Sequence, residues 1–449
     1  MRGRILMVTL WMASLFVFAA CHDDDDDDDK GYTPGKSVVA AFEAKFPNAV
    51  AVSWEKKGVY EKAEFHQNGQ EVDAWFDASG QWMMTETDVL FANLPADSGQ
   101  KPTTEQMDAA IANFVDNVAI PTYAELVNKM TLLKNAVDKF IASGTKTDLE
   151  NACDAWRDAR KPWEESEAFL FGAADKKSYD PSLDSWPLDK EGIDQILETG
   201  NWDAIEGDVN EDESAVNPPQ NLRGFHTAEY LLFNEGDARD IADYTNNMKI
   251  YLQKVVTRML SDVTNMHKGW TTGLPGDEDL PTAYGAALKE HNGTYGISSI
   301  YVAIETMLND NNGMAAIANE VGTAKIADPV NAWNSGDKEG GVLAVESWYS
   351  WNSLTDYVDN IVSIKNCYLG GRNGEYNEAE SLSALVKIIN PTLDQLIRQQ
   401  IEDTMDAIND IPKPFRNNLG ASVEIKKAQN ACAYLNTGLG LVRGKLASN

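Results

Sequence analysis

The sequence has few basic residues and few cysteines for its 449 residues. Lys and Arg number 38 against 70 Asp and Glu, a net charge of −32. Nucleic acid needs a basic face to meet its phosphates, and anionic lipid headgroups need a polybasic patch, so this balance argues against both. Four cysteines are present without a CxxC or a Cys/His pairing, which removes zinc clusters and disulfide scaffolds. HExxH and HxxEH are missing, so no glutamate stands beside paired histidines as a general base. GxSxG and Cys/His arrangements are missing too, so no nucleophile is on offer.

What is present starts with a targeting segment. Arg2 and Arg4 precede an apolar run over 5–20 that ends in Phe18-Ala19-Ala20-Cys21. That run is short for a membrane span of roughly 20 residues, and it reads as a signal peptide over 1–20. The break resembles a bacterial lipobox with Cys21 as the lipidated residue, although Phe18 departs from the usual aliphatic position. Ordinary cleavage nearby, with Cys21 incidental, is the alternative. The acidic run 23–29 self-repels and forms a spacer, giving a linker over 21–35. It also resembles the surface-export signal of Bacteroidetes lipoproteins. The expected location is the cell envelope, anchored by lipid at the outer membrane and facing either periplasm or exterior. Cys153, Cys367 and Cys432 are expected to pack in helices as small apolar residues.

Two periodicities divide the rest. Val39, Phe42 and Phe46 have helical spacing. Alternating residues then run through Val50–Trp54, 59–65, 72–76 and 82–87, broken at Lys57-Gly58, Asn68-Gly69 and Ser79-Gly80. This predicts a helix on a four-stranded antiparallel sheet, a small α+β domain over 36–92 that resembles a PepSY-like domain. Residues 93–103 are polar and carry two prolines, as a linker would. From 104 onward the period is 3.6, without strand-like alternation. Helices are expected near 104–142, 147–171, 222–234, 241–268, 282–309, 313–326, 343–367, 378–409 and 420–446. The stretch 173–221 is expected to stay largely loop. A region of this size should form two packed bundles, roughly 104–240 and 241–446. The predicted fold is mainly α, two helical bundles preceded by a small α+β domain.

Three stretches carry chemistry. The first is WRDARKPWEESEAFLFG over 156–172, followed by Trp186-Pro187-Leu188-Asp189. The second is Gly224-Phe225-His226-Thr227-Ala228-Glu229, a GxHxxE motif. The third is ESWYSWNSLTDYVDNI from Glu346, leading to Tyr368-Leu369-Gly370, with a weaker fourth at Ile411-Pro412-Lys413-Pro414-Phe415. Together, and in this order, they resemble the imelysin-like family of secreted bacterial proteins over about 104–446.

His226 and Glu229, at i and i+3, share a helix face and are expected to converge on one ion. Gly224 lets another backbone approach the helix start. A buried His/Glu pair needs a metal or a hydrogen-bonded network, and the residues alone leave both open. Glu164 is the expected third ligand ahead of Glu167, or Arg157 and Arg160 pair with these carboxylates instead. Ser350 and Asp356, near Glu346, Ser347, Ser353 and Asp359, are second-rank candidates on the resemblance. His22, His66, His267 and His291 repeat no HxxE spacing, and His291 sits by a helix interruption.

The resemblance implies a metal, and a family classed with the metallopeptidases, whose relatives include iron-regulated proteins and a component of an iron importer. One imidazole with several carboxylates is a hard ligand set that suits iron over a thiol-loving metal, with zinc the second choice. The expected function is therefore an envelope lipoprotein binding iron, or an iron-containing ligand such as haem, alongside uptake machinery. A zinc-type peptidase and a metal-free surface interaction protein are the alternatives.

Overall fold

The structure is a computed structural model that describes residues 32–447, apart from residues 48, 58–59, 68–69, 88–90, 92–93 and 207–219. The signal segment, Cys21, His22, the acidic run 23–29, Gly58 and Gly69 lie outside the described residues. The chain divides into two units, which part between residues 88 and 89, close to the expected boundary at 92–93.

In the first unit, helix α1 (Lys36–Lys45) packs on strands β1 (Val50–Lys57), β2 (Tyr60–Gln67), β3 (Gln70–Asp77) and β4 (Trp82–Thr87). The strands pair in sequence order, all antiparallel. The register sets Ala63 opposite Ala74 and Phe65 opposite Val72, so their buried side chains share one face with Phe76. The Phe42 ring sits 5.0 Å from Phe65 and 5.2 Å from Trp54. The helix buries Val38 with Phe42 and leaves Val39 half-buried, because residues i and i+4 lie more nearly in line than i and i+3. A register shift between Val50 and Ser53 leaves Val50 and Val52 exposed, so alternation in β1 buries only part of its length.

The second unit is helical and starts with α2 (Thr104–Phe114), α3 (Ile120–Ser143) and α4 (Lys146–Glu164). Thr103 and Gln106 form a capping box at the start of α2, Gly144 ends α3 in a left-handed conformation, and Thr145 caps α4. Four short helices occupy much of the stretch expected as loop: α5 (Ala173–Lys176), α6 (Tyr179–Asp184), α7 (Lys190–Thr199) and α8 (Asp203–Glu206). Helices α5, α6 and α8 are too short to show an apolar period, and Ile193 and Ile196 hold the ten-residue α7 to the core. Next come α9 (Phe225–Leu232), the two-residue strands β5 (Phe233–Asn234) and β6 (Asp237–Ala238), and α10 (Asn246–Thr271).

The expected helix 282–309 breaks at His291 and Gly293 into α11 (Tyr284–Glu290) and α12 (Ile300–Leu308). Beyond α13 (Met314–Glu320), a π-helical stretch, Val321–Ala327, leads to α14 (Asp328–Asn334) and α15 (Lys338–Leu343). Residues 344–352 are not helical, a correction to the expected 343–367; α16 (Ser353–Leu369) starts only after positive-φ residues Ser347 and Trp351. The ribbon β7 (Gly371–Arg372) and β8 (Glu375–Tyr376) precedes α17 (Leu382–Ile389), α18 (Pro391–Asn409) and α19 (Ser422–Leu446).

Helices α3, α4, α9 and α10 pack together, and α12, α13, α16, α18 and α19 form the second group. The expected division at 240 is corrected by α10, whose buried Tyr251, Val255, Met259 and Val263 seat it with α3 in the first bundle. Helices α4 and α16 meet where the bundles join. Cys153, Cys367 and Cys432 are buried free thiols in α4, α16 and α19. None of the described helices is long and apolar enough to cross a membrane.

Candidate metal centre

The last turns of α4 bring Arg160, Trp163 and Glu164 to one face at the bundle junction. Opposite them, α6 ends at Asp184 and α9 begins at Phe225. Gly224 permits this approach: its φ is +92°, and a Cβ there would lie 2.3 Å from the Leu183 carbonyl oxygen. Asp184 therefore reaches the first turn of α9, where His226 stands.

Arg160 is fully buried and stands at the hub. Its guanidinium pairs with Glu164 and Asp184, with Glu346 at 2.7 Å and with Asp356 at 3.3 Å. The π-helical stretch carries Lys325, whose Nζ donates to both oxygens of Glu346 at 2.9 and 3.0 Å. Trp163 Nε1 donates to Asp184 at 2.6 Å, Ser347 and Asn352 donate to Asp356, and Asn360 donates to Glu164.

His226 is equally buried and uses its two nitrogens differently. Nδ1 lies 3.1 Å from Glu229 Oε2 in a hydrogen bond. The other oxygen of Glu229 accepts from the backbone N–H and the hydroxyl of Ser350, each at 2.8 Å. Nε2 lies 3.0 Å from Asp184 and 3.5 Å from Glu346, an ion pair when the ring is protonated. Trp186 packs against the imidazole at 4.8 Å. Ligand atoms of Asp184, His226 and Glu346 lie within 4.8 Å of one another, and so do those of Glu164, Glu167 and Asp184. Both groups border a cavity of about 310 Å³ whose walls include Glu167, Asp180, Asp184, Glu320, Lys325 and Glu346.

Burial works against every charge here, and the neighbours decide which survive. Burial alone would raise Asp184 and Glu346. Arg160 and His226 instead hold Asp184 well below its ordinary value, and Lys325 with His226 holds Glu346 at about 2. Burial outweighs Arg160 at Glu164 and Lys325 at Glu167, so both stay well above the usual carboxylate range. Burial and the charge of Asp184 push Asp180 up to about 7, and burial pushes Asp356 up to about 6. For His226, burial favours the neutral ring, but Asp184 prevails and raises it well above 6.5.

The sequence candidates thus meet in one network with divided roles. His226 faces the cluster, while Glu229 lies on its far side, holding Nδ1; the pair does not aim at one point, because the two imidazole nitrogens face opposite ways. Glu164 groups with Glu167 and Asp184, away from His226 Nε2. Arg160, Ser350 and Asp356 all join the network. Arg157 touches it only at the Ser350 backbone carbonyl, 3.4 Å away; it donates mainly to the Gly236 carbonyl and lies over the Phe233 ring. His291 meets Asp108, 2.9 Å away, and burial lowers His267. Motif spacing gave no role to Asp180, Asp184 or Lys325. The i, i+4 spacing of Asp180 and Asp184 just before Trp186-Pro187 was the available signal.

The sequence profile of the family described as Imelysin matches residues 119–442. The chain belongs to the imelysin family. It is 29% identical to iron-regulated protein A of Synechococcus elongatus over 326 residues, covering 72% of this chain and 82% of that one. A crystallised protein of Parabacteroides distasonis, assigned as an iron-regulated protein A precursor, is 58% identical. The match covers 79% of this chain and 99% of that one, with a TM-score of 0.77. An imelysin-like protein of Psychrobacter arcticum shares the fold at 13% identity and a TM-score of 0.57, over 79% of this chain and all of that one. The imelysin profile contains every residue of the network from Arg160 to Asn360 and leaves out the first unit.

Proposed function

We propose that this imelysin is an envelope lipoprotein, anchored through Cys21, that binds an iron ion in iron uptake through Asp184, His226 and Glu346. The observation that carries this reading is the buried Nε2 of His226, 3.0 Å from Asp184 and 3.5 Å from Glu346, two carboxylates held in their charged forms between which a cation would take the place of the ring proton. One imidazole and two carboxylates form a hard ligand set that suits iron, with zinc accommodated less selectively. Glu229 would fix the ring orientation, with Ser350 fixing Glu229 in turn, a support that commonly contributes about 10–100-fold in affinity. Relatives named for iron regulation agree with an iron-related role. The acidic chain would concentrate cations near the site.

The test is iron binding to chelator-free protein. His226→Ala should abolish tight binding with helical content retained, and Glu229→Ala should weaken it about 10–100-fold. Equal iron binding by wild type and His226→Ala would overturn the reading.

A hydrolytic reading has one observation in its favour. Asp180, pushed up to about 7, lines the same cavity, so folding supplies a candidate base that motif spacing did not show. It predicts chelator-sensitive cleavage of unstructured peptides that Asp180→Asn abolishes.

A further inference from the structure

We infer that Lys325 is a tethered competitor for the iron position: its ammonium holds Glu346 where the entering cation must bind, and it swings aside as that cation arrives. This rests on the reading proposed above and deepens it.

The geometry sets Lys325 apart from Arg160. Arg160 is fully buried and answers to four carboxylates at once, so it has nowhere to go. Lys325 stands in the wall of the cavity with 9% of its side chain exposed. Among the described residues its ammonium meets one carboxylate alone, donating to Glu346 Oε1 at 3.0 Å and Oε2 at 2.9 Å. Oε1 is also the oxygen that lies 3.5 Å from His226 Nε2. The ammonium claims lone pairs on both oxygens, and a cation beside it would be repelled at contact range.

The backbone under Lys325 is fixed while its side chain has somewhere to move. The Tyr357 hydroxyl donates to the Lys325 carbonyl at 3.0 Å and ties down the π-helical stretch. The side chain is a flexible four-carbon stem with a compact charge, unlike a planar guanidinium. A landing place lies on the same cavity. Glu320 and Asp328 flank the two ends of Val321–Ala327, line the cavity and are exposed. Neither stands in an ion pair among the described residues, and the charge of Glu320 already acts on Lys325.

Displacement has a recognisable cost. A cation reaches Glu346 only in the fraction of molecules whose Lys325 has swung out, so apparent affinity falls by that fraction. The cost is the same whichever ion enters. A fixed charge that stayed in place would instead oppose a trivalent ion more than a divalent one. A protein with such a competitor binds less tightly than its ligands allow and gives up its ion faster.

The test is competition titration of the full chain against a chelator, with ferrous ion under anaerobic conditions and with trivalent gallium. Lys325→Met should tighten both by the same factor, at least about tenfold, and slow release into excess chelator. Lys325→Arg, whose fork grips a carboxylate bidentately, should weaken both. Lys325→Gln should repeat the Met result and stands in if that variant folds poorly. Unchanged or weaker binding in Lys325→Met and Lys325→Gln, with wild type binding iron, would overturn the competitor and spare the iron reading. A larger factor for gallium than for ferrous ion would show that the ammonium stays and repels, which overturns displacement. No iron binding by wild type would overturn both.

Discussion

Two buried polar networks of the second unit are built on opposite plans. Around Asp394 in α18, the Tyr368 and Ser383 hydroxyls donate to one oxygen and Arg398 pairs at 3.2 Å. One buried carboxylate meets the guanidinium, whose other end pairs with the exposed Glu378 at 2.8 Å, and none of these side chains is left without a partner. Around Arg160 the carboxylates outnumber the cations, Asp184 and Glu346 share their partners Arg160 and His226, and a cavity adjoins. A network that only joins helices can close on itself. The Arg160 network stays open toward the cavity at an energetic cost, as expected of a place built to receive something.

The largest effect should come from the hub. Arg160→Ala leaves four buried carboxylates without their shared counter-charge and should destabilise the fold by about 3–5 kcal/mol in urea unfolding. If the region is a cation centre, millimolar divalent metal should restore part of that loss; no restoration would bring the two networks closer in kind. Gly224→Ala forces a Cβ against the Leu183 carbonyl at positive φ and should cost about 2–3 kcal/mol. It should also weaken iron binding, because Asp184 is the residue displaced.

The closed network gives the control. Asp394→Ala removes the acceptor of the Tyr368 and Ser383 hydroxyls, while Arg398 keeps Glu378, so a loss of about 2 kcal/mol is expected with iron affinity unchanged. A change in iron binding there would break the contrast.

The smallest effect is a pH dependence at the fringe of the open network. Burial, and then Glu165, push Asp359 up to about 7. Its carboxyl is protonated when folded and ionised when unfolded between about pH 4 and 7, so folding takes up a proton and stability falls as pH rises through that window. Asp359→Asn removes this loss. Relative to wild type it should gain about 1 kcal/mol between pH 6 and pH 8, measured by chemical denaturation at each pH. An unchanged difference across that range would show the surplus acids carry no strain.

Local chemistry made much of the layout legible. Alternation over 60–87 and helical periodicity beyond 104 distinguish the strand-bearing stretch from the helical one, since side-chain period follows directly from backbone geometry. The capping pair Thr103 and Gln106 and the break at Asn390-Pro391 are equally local. Gly224, His226 and Glu229 stood out because their spacing on one turn is itself a pattern.

Tertiary structure decided the rest. Asp184 closes a six-residue helix, Glu346 sits in the non-helical stretch 344–352, and Lys325 rides a π-helical turn, so none belongs to a long periodic segment that would mark its direction. Periodicity tells which face of an element is buried, but it carries nothing about which remote carboxylate will meet that face. Only packing of α4, α6, α9 and α16 set Glu229 behind the imidazole and Asp184 before it, because contact between distant segments depends on how whole helices seat against each other.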